Sequence, residues 1–128
     1  MRKPPGKKIL IVDDEPGIRN LLSEFLKLRG FETVLAEDGL DGLEKAAQFS
    51  PSLIFLDITM PKMDGWKMLA KLREDDRTKD IPVVMLTAHS DTEALLKSEQ
   101  EHAVDYFIKP INLDELATFL KRYIDLRG

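Results

Sequence analysis

The amino-acid sequence predicts an α/β fold in which a five-stranded parallel sheet carries helices on both faces. Five short apolar runs recur along the chain, and a polar loop and a pattern of apolar residues at helical spacing follow each of them. Strands that alternate strictly with helices pair in parallel through right-handed crossovers, which cover both faces of the sheet. The predicted strands are residues 9–12, 33–36, 53–56, 83–86 and 106–108.

The composition of these runs and the residues between them support this doubly wound arrangement. Four of the five runs are apolar nearly throughout, which is typical of strands buried on both faces of a parallel sheet. Five helices are predicted, and proline, glycine and capping residues mark where they begin or end. These markers are Pro16, Gly30, Pro51, Asp64 with Gly65, residues 90–93 and residues 112–115.

The length and composition indicate one domain of a soluble protein. A chain of 128 residues has the size of one ordinary domain, and 43% hydrophobic with 33% charged residues is a globular composition. We predict an N-terminal tail over residues 1–7 and the domain over residues 8–127. The net charge of −4 at pH 7 argues against nucleic acid as a direct partner.

The chain has no cysteine, which excludes disulfides and thiolate metal ligands and suits a reducing compartment. The basic N-terminus is followed by an apolar run (residues 9–12) that is too short for a signal peptide. No run approaches the roughly 18 apolar residues of a membrane span. The sequence therefore predicts a cytoplasmic protein without a membrane partner.

Polar residues follow four of the predicted strands at the point where each strand ends. Asp13 and Asp14 follow the first strand, Asp57 the third, Thr87 the fourth and Lys109 the fifth. In open α/β sheets, ligand sites form beyond the carboxyl ends of the strands, so these side chains are predicted to converge. Any one of them alone is an ordinary loop residue, but the set predicts a functional site.

The chemistry of this set points to phosphoryl transfer. Three carboxylates held close together repel one another unless a cation neutralises them, and oxygen ligands without His or Cys favour Mg²⁺ or Mn²⁺. Lys109 and Thr87 supply a positive charge and a hydroxyl donor, which suit a phosphoryl group beside that metal. A carboxylate can act as the nucleophile, and Asp57 is the natural acceptor because it ends an apolar strand.

From Lys7 onward the chain resembles a response-regulator receiver domain of two-component signalling systems. Four segments carry the resemblance through their order and spacing: residues 9–15 (ILIVDDE), 56–65 (LDITMPKMDG), 86–88 (LTA) and 105–110 (DYFIKP). The resemblance implies a flavodoxin-like fold with strand order 2-1-3-4-5 and five helices.

Site residues are implied by the same resemblance, position by position. Asp57 matches the phosphoacceptor, and Asp14 and Asp57 match direct ligands of Mg²⁺, with Asp13 acting through a water molecule. Thr59 matches the ligand that acts through its backbone carbonyl.

Further positions match residues that hold or report the phosphoryl group. Lys109 matches the lysine that contacts the phosphoryl oxygens, Thr87 the hydroxyl that closes on them, and Tyr106 the aromatic switch residue. Thr59 and His89 match the positions that modulate phosphoryl lifetime. Because neither is an acid or an amide, a phosphoryl group that lasts minutes or longer is expected, although a neutral imidazole could also orient water.

The implied function is that of a phosphoacceptor rather than a turnover enzyme. The phosphodonor would be a sensor histidine kinase or a histidine phosphotransfer protein. The switch surface would be formed by the fourth helix, the fifth strand and the fifth helix, and would serve an output partner or a phosphorylation-dependent dimer. The resemblance also implies a cis peptide bond before Pro110.

Two features depart from the family pattern. His102 stands near the place where the family often has glycine before the fifth strand, and the predicted fourth helix is weakly apolar.

Two other readings remain open at this point. A haloacid-dehalogenase type of phosphatase also forms an aspartyl phosphate, but it needs a second Asp two residues after the nucleophile, where this chain has Thr59. A receiver-fold interaction module that is never phosphorylated is the other alternative, although such modules lose the acidic pair, the acceptor or the lysine, which are all present.

Overall fold

The computed structural model describes residues 7–88 and 103–127. Within these residues all five predicted strands are confirmed to within one residue at each end. Four of the five predicted helices are confirmed as well, and the predicted fourth helix and His102 lie outside the described residues. The strands are β1 Lys8–Val12, β2 Glu32–Ala36, β3 Leu53–Asp57, β4 Val83–Thr87 and β5 Asp105–Ile108, and the helices are α1 Pro16–Leu28, α2 Gly39–Phe49, α3 Gly65–Glu74 and α4 Leu113–Arg127.

The five strands form one parallel sheet in the order β2-β1-β3-β4-β5, as the family resemblance implied. The register aligns the carboxyl ends of the strands, because Asp57 lies opposite Leu86 and Thr87 lies opposite Ile108. The residues predicted to carry chemistry therefore lie at one end of the sheet, which we call its carboxyl end.

Alternate residues of each strand face opposite layers of the core. On one face, Ile54 and Leu56 of β3 belong to a cluster that includes residues of α2 and α3, and on the other face Phe55 belongs to a cluster with residues of α1 and α4. Residues of β1, β3 and β4 are buried on both faces, whereas the edge strands β2 and β5 are only partly buried. The central strands are thus held rigidly from both sides.

Local sequence signals explain where the helices begin and end. Pro16 opens α1, and Gly30 follows its last turn with a positive φ of 93°. The side chain of Asp38 accepts the backbone N–H of Asp41 and caps α2, and Asp64 caps α3 in the same way. Asp38 lies between β2 and α2, and its role is to cap the helix.

Gly65, the first residue of α3, packs directly against the backbone that follows Asp57. Its N–H donates to the carbonyl of Ile58 at 2.8 Å, and a Cβ added at Gly65 would collide with the carbonyl oxygen of Asp57 and lie 2.8 Å from the Cα of Ile58. This position therefore requires glycine because of a close approach of backbone to backbone.

We predict that Gly65→Ala destabilises the protein by about 1–3 kcal/mol, because the backbone after Asp57 must move to make room for the methyl group. Gly17→Ala is the control, since Gly17 lies in α1 and a Cβ there meets nothing within 4 Å. The control should be neutral or stabilising by up to about 1 kcal/mol. Urea unfolding measures both changes, and a Gly65→Ala protein as stable as Gly17→Ala would contradict the proposed contact.

Candidate functional site

Four acidic side chains meet at the carboxyl end of the sheet. Asp13, Asp14 and Glu15 lie at the end of β1, and Asp57 ends β3; each offers a carboxylate oxygen within 4.8 Å of the others. Asp13 and Asp57 are buried, whereas Asp14 and Glu15 are exposed. We call these four residues the acidic cluster.

Backbone contacts hold Asp13 in one orientation. Its Oδ1 accepts the backbone N–H of Glu15 at 2.9 Å, and its backbone carbonyl accepts Nη1 of Arg19 at 2.6 Å. Its Oδ2 is buried and accepts no hydrogen bond, although it forms an ion pair with Nζ of Lys109 at 3.0 Å. This buried oxygen therefore faces an ammonium group, and a metal cation would suit the same position.

Lys109 supplies the positive charge beside the acidic cluster. Its Nζ lies 3.0 Å from Oδ2 of Asp13, 3.0 Å from Oε1 of Glu15 and 3.5 Å from Oδ2 of Asp57. Burial lowers the pKa of Lys109, but the contacts with Asp13 and Glu15 outweigh this effect and raise the pKa to about 12. The bond between Lys109 and Pro110 is cis, as the resemblance implied.

Asp57 is the carboxyl group whose protonation is most altered by its surroundings. Burial, and next the charge of Asp13, raise its pKa from 3.8 to about 7, although Lys109 and the N–H of Thr59 act in the opposite direction. The Thr59 N–H donates to Oδ1 of Asp57 at 3.2 Å. The ammonium group of Lys109 is thus not enough to restore the ordinary pKa of Asp57.

The acidic cluster fits a divalent cation on three grounds. It consists of oxygen donors alone, it has four carboxylates against one ammonium, and Oδ2 of Asp13 is buried without a hydrogen bond. Hard oxygen ligands of this kind suit Mg²⁺ or Mn²⁺. Additional positive charge would offset the effects of burial and of the Asp13 charge, which raise the pKa of Asp57.

The other predicted site residues differ in position and in burial. Thr87 ends β4 next to Asp57 and is buried, and its carbonyl accepts the N–H of Lys109 at 2.7 Å. Tyr106 lies on β5 and packs half-buried against the core cluster on the side of α2 and α3. Thr59 is exposed, and His89 lies outside the described residues.

Glu15 is the member of the cluster that sequence reasoning did not assign to the site. It belongs to the acidic run with Asp13 and Asp14, and its place at the start of α1 was the available signal. That signal is weak, because an acidic residue at this place ordinarily caps or stabilises a helix. Only the position of Lys109, 94 residues away along the chain, shows that the carboxylate points to the site.

A groove of about 1080 Å³ lies between α2 and the end of α3. Its charges pair locally, since Lys45 lies 3.1 Å from Asp41 and Arg77 lies 2.7 Å from Asp75. Hydrogen bonds from Arg77 lower the pKa of Asp75 to about 2. These local pairs differ from the acidic cluster, where four carboxylates surround one ammonium.

The chain belongs to the response regulator receiver domain family, whose model matches residues 9–121. It is a receiver domain of two-component response regulators. Members of this family are phosphoacceptors with weak autophosphatase activity, they bind Mg²⁺ at an acidic pocket, and histidine kinases or phosphotransfer proteins phosphorylate them.

Solved structures and relatives agree with this assignment. The chain is similar to the chemotaxis protein CheY4 of Vibrio cholerae, with a TM-score of 0.85 and 32% identity over 91% of this chain and 98% of that chain. The receiver domain of Francisella response regulator 1452 gives a TM-score of 0.87 and 27% identity over 96% and 100% of the two chains.

Among relatives, sporulation initiation phosphotransferase F of Bacillus subtilis is 36% identical over 96% of this chain and 98% of its own length. The transcriptional regulator RpaA of Synechocystis is 41% identical over 85% of this chain, and the regulatory protein AtoC of Escherichia coli is 39% identical over 94%. The matches cover only 45% of RpaA and 26% of AtoC.

Across residues 7–88 and 103–127, no helix has the length and apolar character that a bilayer span requires.

We predict that the metal-free protein loses stability as the pH rises, because of Asp57. A carboxyl group whose pKa is higher in the folded protein stabilises the fold below its ordinary pKa, and this contribution is lost as the pH rises through the folded value of about 7. In EDTA, Asp57→Asn should therefore melt higher than wild type at pH 8, and the difference should be clearly smaller at pH 5 and vanish only below the ordinary pKa of 3.8. Glu44→Gln, which removes an exposed acid of α2, is the control for net charge.

Mg²⁺ should narrow this difference at pH 8. At about 100 times its dissociation constant, a ligand that binds only the folded state adds roughly 2.7 kcal/mol of stability. Asp57→Asn should gain less than wild type, and a Na⁺ control at matched ionic strength removes the effect of general screening. If Asp57→Asn melts lower than wild type in EDTA at pH 8, the repulsion assigned to the cluster is absent.

Proposed function

We propose that Asp57 is the phosphoacceptor of this receiver domain. The observation that carries the proposal is the place of Asp57, a buried carboxylate at the end of the central strand β3 with Lys109 3.5 Å away and Asp13 beside it. Asp57 has both a neighbouring ammonium and a shielded position, which an acyl phosphate needs in order to form and to persist.

In the proposed reaction a carboxylate oxygen of Asp57 attacks the phosphorus atom of a phosphohistidine. The new O–P bond forms as the P–N bond breaks, and the imidazole of the donor leaves with the bonding electron pair. The ammonium of Lys109 offsets negative charge on the phosphoryl oxygens, and the hydroxyl of Thr87 donates to one of them. Asp57 keeps its orientation because Thr59 N–H holds Oδ1.

Asp13, Asp14, Asp57 and the backbone carbonyl of Thr59 are the proposed ligands of Mg²⁺, and Mn²⁺ suits the same oxygens. When bound, the metal supplies positive charge that offsets both the carboxylates and the phosphoryl oxygens. The support for this assignment is the convergence of the carboxylates within 4.8 Å and the buried Oδ2 of Asp13, which has an ion pair with Lys109 but accepts no hydrogen bond.

The proposed phosphodonor is a sensor histidine kinase or a histidine phosphotransfer protein. The proposed output is an unknown partner or a phosphorylation-dependent dimer. A domain over residues 8–127 after a tail of residues 1–7, a cytoplasmic location, the absence of a direct nucleic-acid or membrane partner, and the absence of enzymatic turnover remain predictions from the sequence.

We predict that acetyl phosphate with Mg²⁺ adds one phosphoryl group to the wild-type protein and none to Asp57→Asn. Intact mass spectrometry at neutral pH measures the addition of one group. Asp38→Asn is the matched control, since Asp38 is an acid at the carboxyl end of the sheet that caps α2 and is not a member of the acidic cluster. Equal incorporation in Asp57→Asn would place the phosphoryl group elsewhere.

This experiment also separates the alternative functions. A receiver-fold module that serves only protein interaction would take up no phosphoryl group at all. A phosphatase of the haloacid-dehalogenase type would instead hydrolyse phosphate esters with turnover, for which Thr59 offers no carboxyl group. The family assignment and the presence of Asp57 with Lys109 favour neither alternative.

The lifetime of the phosphoryl group is proposed to depend on Thr59 and His89. Thr59 offers a hydroxyl rather than an acid or an amide, which orients an attacking water poorly, so the aspartyl phosphate should last minutes or longer. His89 is the residue that could shorten this lifetime, because a neutral imidazole can orient water.

Thr87 and Tyr106 are the proposed switch residues. Thr87 lies opposite Ile108 in the sheet, and Tyr106 is two residues before Ile108 on β5. On the opposite face of β5, the ring of Phe107 meets Phe119 of α4 edge to face with centroids 5.6 Å apart. A movement of Thr87 toward the phosphoryl group can therefore reach α4 through β5.

We predict that Thr87→Ala or Tyr106→Ala leaves phosphorylation by acetyl phosphate largely intact and reduces its structural effect on β5 and α4. Amide NMR shifts of residues 103–123 on phosphorylation measure this effect. Phe49→Ala is the control, because Phe49 is a half-buried aromatic at the end of α2, away from β5. If phosphorylation and the shifts are lost together, the two residues serve the chemistry and not the switch.

A further inference from the structure

The carboxylate of Glu15 does not cap α1, although Glu15 is the residue that directly precedes that helix. Glu15 is the N-cap residue of α1, yet its side chain makes no capping hydrogen bond, and Pro16 follows it. Oε1 of Glu15 accepts a hydrogen bond from Nζ of Lys109 at 3.0 Å instead, although the Glu15 side chain is 60% exposed. Glu15 is thus an exposed acid that contacts Lys109 and leaves its helix uncapped, and this indicates that it has a role in the site.

The three acids that contact Lys109 share its ammonium group unequally. Asp13 and Glu15 lie at 3.0 Å, whereas Asp57 lies at 3.5 Å. Without Glu15, the remaining acidic partners of the ammonium are Asp13 and Asp57, which are both proposed metal ligands. Lys109 would then compete with a divalent cation for the oxygens of Asp57 as well as for Oδ2 of Asp13.

We propose that Glu15 is a positioning residue that holds Lys109 to one side of the acidic cluster and thereby raises its affinity for a divalent cation. The inference rests on the proposed function, because it concerns the same metal site. Glu15 acts through two effects of the same sign: its charge attracts the cation, and its contact keeps the competing ammonium of Lys109 on the side of Asp13, farther from Asp57.

The expected effect is modest, because the Glu15 side chain is largely exposed. Glu15→Gln should weaken Mg²⁺ binding by about twofold to fivefold, which is the range for partly exposed charge pairs. Isothermal titration calorimetry of the phosphate-free protein with MgCl₂ at constant ionic strength measures the dissociation constant directly. Glu37→Gln is the matched control, since Glu37 is an exposed acid that follows β2 at the carboxyl end of the sheet.

A double-mutant cycle with Lys109→Gln separates the contact from the charge. Lys109→Gln alone should tighten Mg²⁺ binding, because a competing cation has been removed. In that background, adding Glu15→Gln should weaken binding by a smaller factor than it does in the wild-type protein, because only the charge effect of Glu15 remains. If Glu15→Gln costs the same factor with and without Lys109, Glu15 acts by charge alone and the positioning role is wrong.

Glu15→Asp tests the contact in another way. This variant retains Lys109 and the net charge, but its shorter side chain should not reach the ammonium. Asp is a favoured N-cap residue, and its shorter carboxylate can accept the N–H of Gly17 or Ile18 in the first turn of α1. This variant should melt as high as wild type in EDTA or higher, and still bind Mg²⁺ more weakly. Unchanged Mg²⁺ affinity in both Glu15→Asp and Glu15→Gln would overturn the inference.

Failure of the metal site itself gives a different result. If wild-type protein shows no Mg²⁺ binding, or if Asp57→Asn binds as tightly as wild type, the proposed ligand set is wrong and the role of Glu15 is wrong with it. If Asp57→Asn loses affinity and Glu15→Gln does not, the metal site stands and only the positioning role of Glu15 is overturned.

Discussion

The ammonium of Lys109 lies within 3.5 Å of three carboxylates, and the remaining features of the site depend on this arrangement. Asp13 and Asp57 are buried, so their charges are poorly solvated and repel each other strongly. Burial, and next the charge of Asp13, raise the pKa of Asp57 to about 7, because one ammonium offsets these two effects only in part. Such a site favours additional positive charge, which is the physical basis for the proposed divalent cation and for the phosphoryl group proposed beside it.

The sheet makes this costly arrangement possible because it keeps the acids where they are. Asp57 ends a strand whose residues are buried on both faces, and Gly65 packs against the backbone just beyond it. Asp13 is held by the N–H of Glu15 and by Arg19. Neither carboxylate can relax into solvent without disturbing the core, so the repulsion is balanced by the packing of the domain.

The same sheet connects the site to a surface at its edge. β5 lies at one edge, and its side chains alternate between the two core clusters, with Tyr106 on the side of α2 and α3 and Phe107 on the side of α4. Phe119 of α4 contacts Phe107 and also stacks on Tyr123 at 5.4 Å. An edge strand has a neighbour on one side only, so it can shift with less cost than β3 can, which suits a strand proposed to report phosphorylation.

The sequence by itself determined the strands, four of the helices within the described residues, and the end of the sheet at which the polar residues meet. These features depend on local patterns, namely apolar runs, caps at Asp38 and Asp64, and the shared direction of parallel strands. The strand order, by contrast, came from the family resemblance, because alternation of strands and helices does not distinguish one order from another.

The tertiary structure alone decided how the charges are shared. Glu15 reads as a residue at a helix start, and only its contact with a lysine 94 residues along the chain brings it into the acidic cluster. The raised pKa of Asp57 likewise depends on burial and on the distance to Asp13, which local patterns do not encode. Coulomb interactions and desolvation depend on distances in space, so a sequence can indicate which charges meet but not how closely each one is held.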